Sequence, residues 1–475
     1  MRYTALVLAA VFAAPLPGQG SRTALTPGTI AVTHVNVVPM TSDTVLADRS
    51  VLVRDGRIVE VQPASALRVP AGARVIDGRG RFLVPGFADA HTHLYSDEEL
   101  PDSLAAYELG VMLANGITTA RLMIGTPEQL SLRAAIQAGR MLGPQLWLAG
   151  PQLTGSPATN AHVVTTEDQA RAAVRSVVEA GYDFLKLTEN IPPAIHAAIV
   201  DEARIRGIRI DGHVDTRVGV ERALAAKQNI QHLDSYLEAV LADSAPSRLS
   251  LTQGGVGRLQ NWKSMDHVDP RKIVAIAGAT ARAGVWTTPT LTIFNKAFGI
   301  GFTDDELEKS PDWKFMPPQF RSLYLRARAR YWNPANDSVR TPERRRKYVE
   351  TRSAIAKAIS DSGGKLLVGS DAPDLLMVYG WTYHRELESL VRAGLTPYQA
   401  LVAGTKNAAE FFGGLAEWGT VQVGKRADLV LLAANPLENI SNSTRIEAVA
   451  IGGRWLDRRE LDQMLASAQS KINGR

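Results

Sequence analysis

Short apolar runs alternate with amphipathic stretches through the middle of this chain, and that alternation restricts the fold more than any other feature. Runs that read as strands cover 86–93, 117–124, 145–149, 184–188, 208–213, 229–233, 285–292 and 365–369. Between them, 166–180, 193–206 and 218–226 carry helical patterns. Strands separated by helices predict parallel pairing, and eight such units over roughly 320 residues fit a (β/α)₈ TIM-like barrel with insertions. A doubly wound open sheet is the alternative for the same alternation.

Both ends of the chain are β-rich. Residues 28–38 and 50–61 alternate or run apolar, with Asp55-Gly56-Arg57 placed as a hairpin turn, and 74–77 and 82–84 continue the pattern. At the other end 427–432 and 446–451 read as strands, and Gly452-Gly453 turns the chain into Arg454-Trp455. The economical division is a small β-sandwich from 21–84 and 418–475 beside an α/β barrel at 85–417. No fixed-period repeat is present.

Arg2 followed by the apolar stretch 4–15 and by Gly18 and Gly20 has the layout of a cleaved leader. A signal peptide over 1–20 is expected, with export to the periplasm or the medium. The apolar run is too short for a stable membrane-spanning helix. The chain contains no cysteine, so neither disulfides nor a lipoprotein anchor is expected. Its 53 basic and 48 acidic residues are mixed along the sequence, which gives no clustered basic face for nucleic acid.

Nine histidines occur in 475 residues, and four of them fall at the carboxyl ends of the expected strands. That end is where barrel enzymes assemble their chemistry. His91 and His93 are two apart, so on a strand both imidazoles enter one cavity. Asp89 shares their face, as a partner to the ligands or a buried carboxylate. His213 and His232 close two further strands, and Asp371 closes the last. For any one such histidine a structural role is the commoner outcome; it is the set that carries the signal. Lys186 lies inside the apolar strand Phe184-Leu185-Lys186-Leu187, where an unpaired ammonium is costly. A lysine so placed can react with carbon dioxide to give an anionic carbamate able to bridge two metals, or it can reach solvent or a carboxylate from the strand end.

The chain resembles the amidohydrolase superfamily, most closely its imidazolonepropionase-related and prolidase-like metal hydrolases, from about Ile30 to Trp455. The resemblance rests on Pro85-Gly86-Phe87-Ala88-Asp89-Ala90-His91-Thr92-His93 and on Gly369-Ser370-Asp371-Ala372-Pro373. The tail Gly419-Thr420-Val421-Gln422-Val423-Gly424-Lys425-Arg426-Ala427-Asp428-Leu429-Val430-Leu431 supports it as well. It implies two divalent metal ions, usually zinc. His91, His93 and Asp371 would hold one, His213 and His232 the other, with N-carboxylated Lys186 between them. It implies hydrolysis of a C–N amide bond, with Asp371 as the catalytic carboxylate that carries the proton to the leaving nitrogen. The sequence departs from close relatives at Arg121-Leu122, where many have an Arg-Asp pair, and at Asp215, where small residues are common.

The expected substrate is a small-molecule amide or short peptide: a dipeptide or N-acyl amino acid, with a cyclic amide or a bulky amide-linked toxin as alternatives. A non-catalytic binding barrel is the contrasting class. Arg121, His162, Asp215 and Tyr236 are candidate substrate contacts, each open to a structural reading. His384 reads as a solvated helix residue. Between 296 and 348 aromatic residues are interleaved with basic ones, which fits either a lid or substrate wall, or an ordinary helical excursion. Assembly into a homo-oligomer is left open.

Overall fold

The computed structural model describes residues 28–94, 104–246, 262–298, 302–332, 339–374 and 376–473. The expected leader lies outside the described residues. Strands β1 (Ile30–Val37), β2 (Leu46–Arg54), β3 (Arg57–Pro63), β4 (Arg74–Asp77) and β5 (Phe82–Pro85) open the chain. The hairpin between β2 and β3 turns on Asp55 and Gly56, whose φ values of 50° and 74° are both left-handed, as a tight hairpin turn requires.

The middle supplies β6 (Phe87–Thr92), β7 (Ile117–Leu122), β8 (Gln145–Leu148), β9 (Gln152–Thr154) and β10 (Ala161–Val163). It continues with β11 (Phe184–Leu187), β12 (Arg209–Gly212), β13 (Asn229–Gln231), β14 (Trp286–Thr288) and β15 (Lys365–Leu366). Their pairing is parallel throughout. β6, β7 and β8 form one sheet, and β11 to β15 run in sequence order in another, which β9 and β10 extend at its β11 edge. A parallel bridge between Ala149 and Phe184 joins the two sheets, and another between Thr92 and Ala372 joins β6 to the segment after β15.

The chain closes with β16 (Leu429–Leu432), β17 (Ile446–Ile451) and β18 (Arg454–Asp457). These pair with the opening strands in one eight-stranded sheet, in the order β18-β17-β16-β5-β1-β2-β3 with β4 beside β1. Val35, Val37 and Val51 from the beginning share an apolar cluster with Leu429, Leu431 and Trp455 from the end.

Local signals explain the helices. Thr166 accepts from the Gln169 amide while the Gln169 side chain reaches back, so Glu167–Glu179 starts on a capping box. Helix Pro193–Arg206 starts on proline and stops at Gly207, whose φ is 68°.

Three expectations need correction. The seventh strand stops at Thr288, and Leu291–Ala297 is helical. Buried Glu386 accepts the backbone N–H groups of Leu291 and Thr292 at 2.8 Å each, satisfying donors that would otherwise be orphaned at that helix start. His384 is buried rather than solvated: Nδ1 pairs with the Ser443 hydroxyl at 2.9 Å and Nε2 with the Asn115 carbonyl at 3.1 Å. The last segment is not all β, because helix Arg458–Asn473 follows β18 and packs on Ala105–Ala114. In the 296–348 insertion Phe315, Phe320 and Tyr324 are buried, and Phe315 stacks on Trp381 with centroids 4.6 Å apart.

Candidate metal centre

Six side chains named from the sequence line one cavity of about 140 Å³: His91, His93, Lys186, His213, His232 and Asp371. His91 stands on β6 and Lys186 on β11; His93, His213 and His232 are the residues that follow β6, β12 and β13, and Asp371 lies on the segment after β15. Ile124, Gln152, Thr188, Pro373 and Asp374 complete the lining. Two glycines permit the approach. A Cβ at Gly369 would lie 2.5 Å from the Cβ of His91, and one at Gly212 would lie 2.2 Å from the Leu187 carbonyl. His232 and Asp371 themselves have φ values of 58° and 57°, in the sparsely populated left-handed region. Non-glycine residues held there collect at functional sites.

The carboxylate of Asp371 is the hub. Its Oδ1 lies 3.0 Å from Nε2 of His91 and 3.4 Å from Nε2 of His93, and its Oδ2 lies 3.6 Å from Nδ1 of His232. The rings of His91 and His232 are 4.6 Å apart, and those of His213 and His232 4.8 Å. Burial pushes His91 down to about 3 and lowers His232 strongly, so both imidazoles are neutral with a lone pair to offer. Asp371 stays ionised: although burial opposes its charge, the histidines around it hold its carboxyl well below the usual carboxylate range.

Each of three rings has its Nδ1 engaged by a side chain outside the six. The partner is Gln231 Oε1 for His91, Asp234 Oδ2 for His213 and Thr290 Oγ1 for His232, all at 2.7 Å. Such outer contacts orient imidazole ligands in metal sites. Lys186 is fully buried, and its ammonium has no hydrogen bond or ion pair to any described residue. Burial brings it down to about 8. Neutral imidazoles, a carboxylate and an amine without a partner at one cavity form a donor set that suits divalent cations. Among the described residues, the ligand atoms of His91, His93 and Asp371 all lie within 4.8 Å of one another.

The four candidate substrate contacts are placed elsewhere. Arg121 is wholly buried, bonded to Asp211 at 2.9 Å and to the Ala90 carbonyl at 2.5 Å. Tyr236 is also buried, its hydroxyl 2.8 Å from Thr280. Asp215 is bound by the Arg217 side chain at 2.6 and 2.9 Å. His162 stands on β10 and is not in the lining, whereas Gln152 of neighbouring β9 is. Sequence reasoning missed Gln152, Gln231, Asp234 and Thr290. Asp234 and Gln231 flank His232 in the chain, so their closeness to the site was legible, though not which ring each would meet.

Parallel strands with buried histidines at or just beyond their carboxyl ends define an α/β protein with a polar cavity whose side chains could hold a cation. The chain belongs to the amidohydrolase family, whose model matches residues 82–456. A dihydroorotase from Anaeromyxobacter dehalogenans is 24% identical over 423 residues, covering 86% of this chain and 90% of that one. Among solved structures, a protein from Bifidobacterium longum described as a candidate prolidase is 25% identical with a TM-score of 0.66, covering 93% of this chain and 99% of its own. A bottromycin amidohydrolase superposes with a TM-score of 0.71 at 24% identity, covering 94% and 92% of the two chains.

Proposed function

We propose that the chain is a metal-dependent hydrolase that cleaves a C–N amide bond, on a (β/α)₈ barrel with a small β-sandwich at its side. The observation that carries this reading is the meeting of the six side chains at one cavity. The two bridges linking the parallel sheets support the closed barrel, and the apolar cluster shared by both chain ends supports the sandwich.

His91, His93 and Asp371 would hold one cation, His213 and His232 a second, and Lys186, N-carboxylated, would stand between them. Two cations, zinc by this donor chemistry, would supply an acidified water and a Lewis-acid hold on the amide oxygen. Asp371 takes the proton of the attacking water and delivers it to the leaving nitrogen, since its ionised carboxylate faces the same cavity. Gln152 and Thr188 line the same cavity and are the further polar side chains placed to meet a substrate there.

The preferred substrate is a dipeptide or N-acyl amino acid, from which the enzyme releases the C-terminal residue. The likeness to the Bifidobacterium protein supports that choice. Opening of a cyclic amide is the second reading. It is favoured by the dihydroorotase match and by the burial of Arg121, which removes the residue expected to hold a substrate carboxylate. A panel of dipeptides, N-acyl amino acids and cyclic amides, assayed with zinc and bicarbonate, tests both. Turnover of the linear amides is expected. Turnover of cyclic amides alone would transfer the assignment to the second reading, and none with any amide would overturn the function.

The leader read over 1–20 places this reaction outside the cytoplasm as part of the same proposal. No helix among the described residues is long and apolar enough to cross a membrane.

A further inference from the structure

Near the end of helix Leu291–Ala297, Lys296 is fully buried and stands outside the lining of the metal-site cavity. Its Nζ donates to the Leu376 carbonyl at 2.7 Å. Burial pushes the ammonium down to about 7, so the slot suits a charge poorly. A methionine would fill such a slot without that penalty, and what the lysine adds is the bond to Leu376.

That bond falls behind a wall of the cavity. After β15 the chain contributes Asp371 to the cavity, lines it further with Pro373 and Asp374, and then reaches Leu376. The beginning of this wall is tied to β6 and the residue after it. The Asp371 amide donates to the His91 carbonyl, and the His93 amide to the Ala372 carbonyl, each at 2.7 Å. The next backbone bonds are local: Asp374 N–H to the Asp371 carbonyl at 3.0 Å, and Met377 N–H to the Asp374 carbonyl at 2.8 Å. Leu376 itself has a φ of 72°, a left-handed conformation that is costly for leucine. A strained residue between local bonds needs a hold from outside, and Lys296 supplies one.

The 296–348 insertion grips the lysine in turn. Buried Arg328, on helix Pro318–Trp332, donates from Nε to the Lys296 carbonyl at 3.0 Å and from Nη2 to the Phe302 carbonyl at 2.5 Å. Asp312 of the same insertion accepts from Arg385 at 2.5 and 3.0 Å, on helix Trp381–Arg392 that follows the wall. We infer that Lys296 is a positioning residue that holds Leu376, and with it the Pro373 and Asp374 wall of the cavity, and that the insertion is its brace. The insertion thus acts on the site from behind the wall and not as a lid over it. Asp371 keeps its own ties to His91, so loss of the lysine moves the substrate wall and spares the ligand.

The inference rests on the hydrolase reading for its kinetic readout and not for its first, which is amide hydrogen exchange in Lys296→Met. The amides of Asp374 and Met377 are expected to exchange several-fold faster than in wild type, while those of His93 and Asp371 keep their wild-type rates. The second readout is kinetics with whichever amide the wild-type chain turns over. KM is expected to rise about tenfold, with kcat and zinc content close to wild type. Arg328→Lys is the second variant. One ammonium cannot span the two carbonyls that the guanidinium holds, so the same changes are expected to a smaller degree. Exchange at Asp374 and Met377 unchanged in Lys296→Met, or accelerated equally throughout the chain, overturns the positioning role. So does a fall in kcat with KM unmoved, which is what partial unfolding alone would give. Changes in Lys296→Met with none in Arg328→Lys overturn the brace. The expected exchange in a chain that hydrolyses no amide would uphold the positioning of the wall and sink the hydrolase reading instead.

Discussion

Oδ2 of Asp234 lies 2.7 Å from Nδ1 of His213, so the ring is gripped from behind by a carboxylate that itself stays outside the cavity. This contact keeps the proton on Nδ1, points Nε2 inward and strengthens the ring as a donor. Asp234→Leu is therefore expected to weaken metal binding about 10–100-fold with little loss of fold. Chelator competition together with a thermal melt checks this. Undiminished affinity would mean that packing alone holds the ring.

Asp371→Asn removes the proton carrier while preserving shape. Turnover is expected to fall at least about 10²–10⁴-fold, the range of general acid–base assistance. The melting curve should stay close to wild type. Activity within a few-fold of wild type would end the role assigned to this carboxylate.

Lys186→Ala tests the bridge. The buried amine has no partner among the described residues, so its removal should leave the strand intact while costing the centre its central ligand. Metal analysis after dialysis is expected to show occupancy well below that of wild type. Equal occupancy in the two proteins would count against a lysine-derived ligand.

Glu386 sets a pH dependence of stability away from the site. Burial pushes its carboxyl up to about 7 from an ordinary 4.5. Between those values the folded chain keeps a proton that the unfolded chain has lost, so this group's contribution to stability falls as pH rises through the window. Glu386→Gln does not titrate, and it leaves one backbone donor unsatisfied at a cost of about 1–3 kcal/mol. Urea unfolding at about pH 4.5 and about pH 7.5 should show a smaller decline across that range than in wild type. An identical decline in both proteins would contradict the assignment.

The periodic features of the sequence carried most of the fold. Helix Pro193–Arg206 was legible to the residue, because proline at its start and Gly207 at its end punctuate it. The strands that carry His91 and Lys186, and those that lead into His213 and His232, were legible as apolar runs of strand length. The break after Thr288 was not, since the group that satisfies Leu291 and Thr292 is Glu386, far along the chain. The same limit explains Arg121 and Tyr236: both follow or lie near ligand-bearing segments, but only the tertiary partners Asp211 and Thr280 reveal that they point into the core. His384 misled for a similar reason. A histidine on an amphipathic helix reads as solvated until Asn115 and Ser443 are brought against it.

Metal content measured against turnover tests the central claim most directly. The purified chain, incubated with zinc and bicarbonate, is expected to hold close to two ions. A chelator should remove them together with amide hydrolysis, and zinc should restore both. Undiminished hydrolysis by the metal-free chain, or a chain that takes up no zinc, would contradict it.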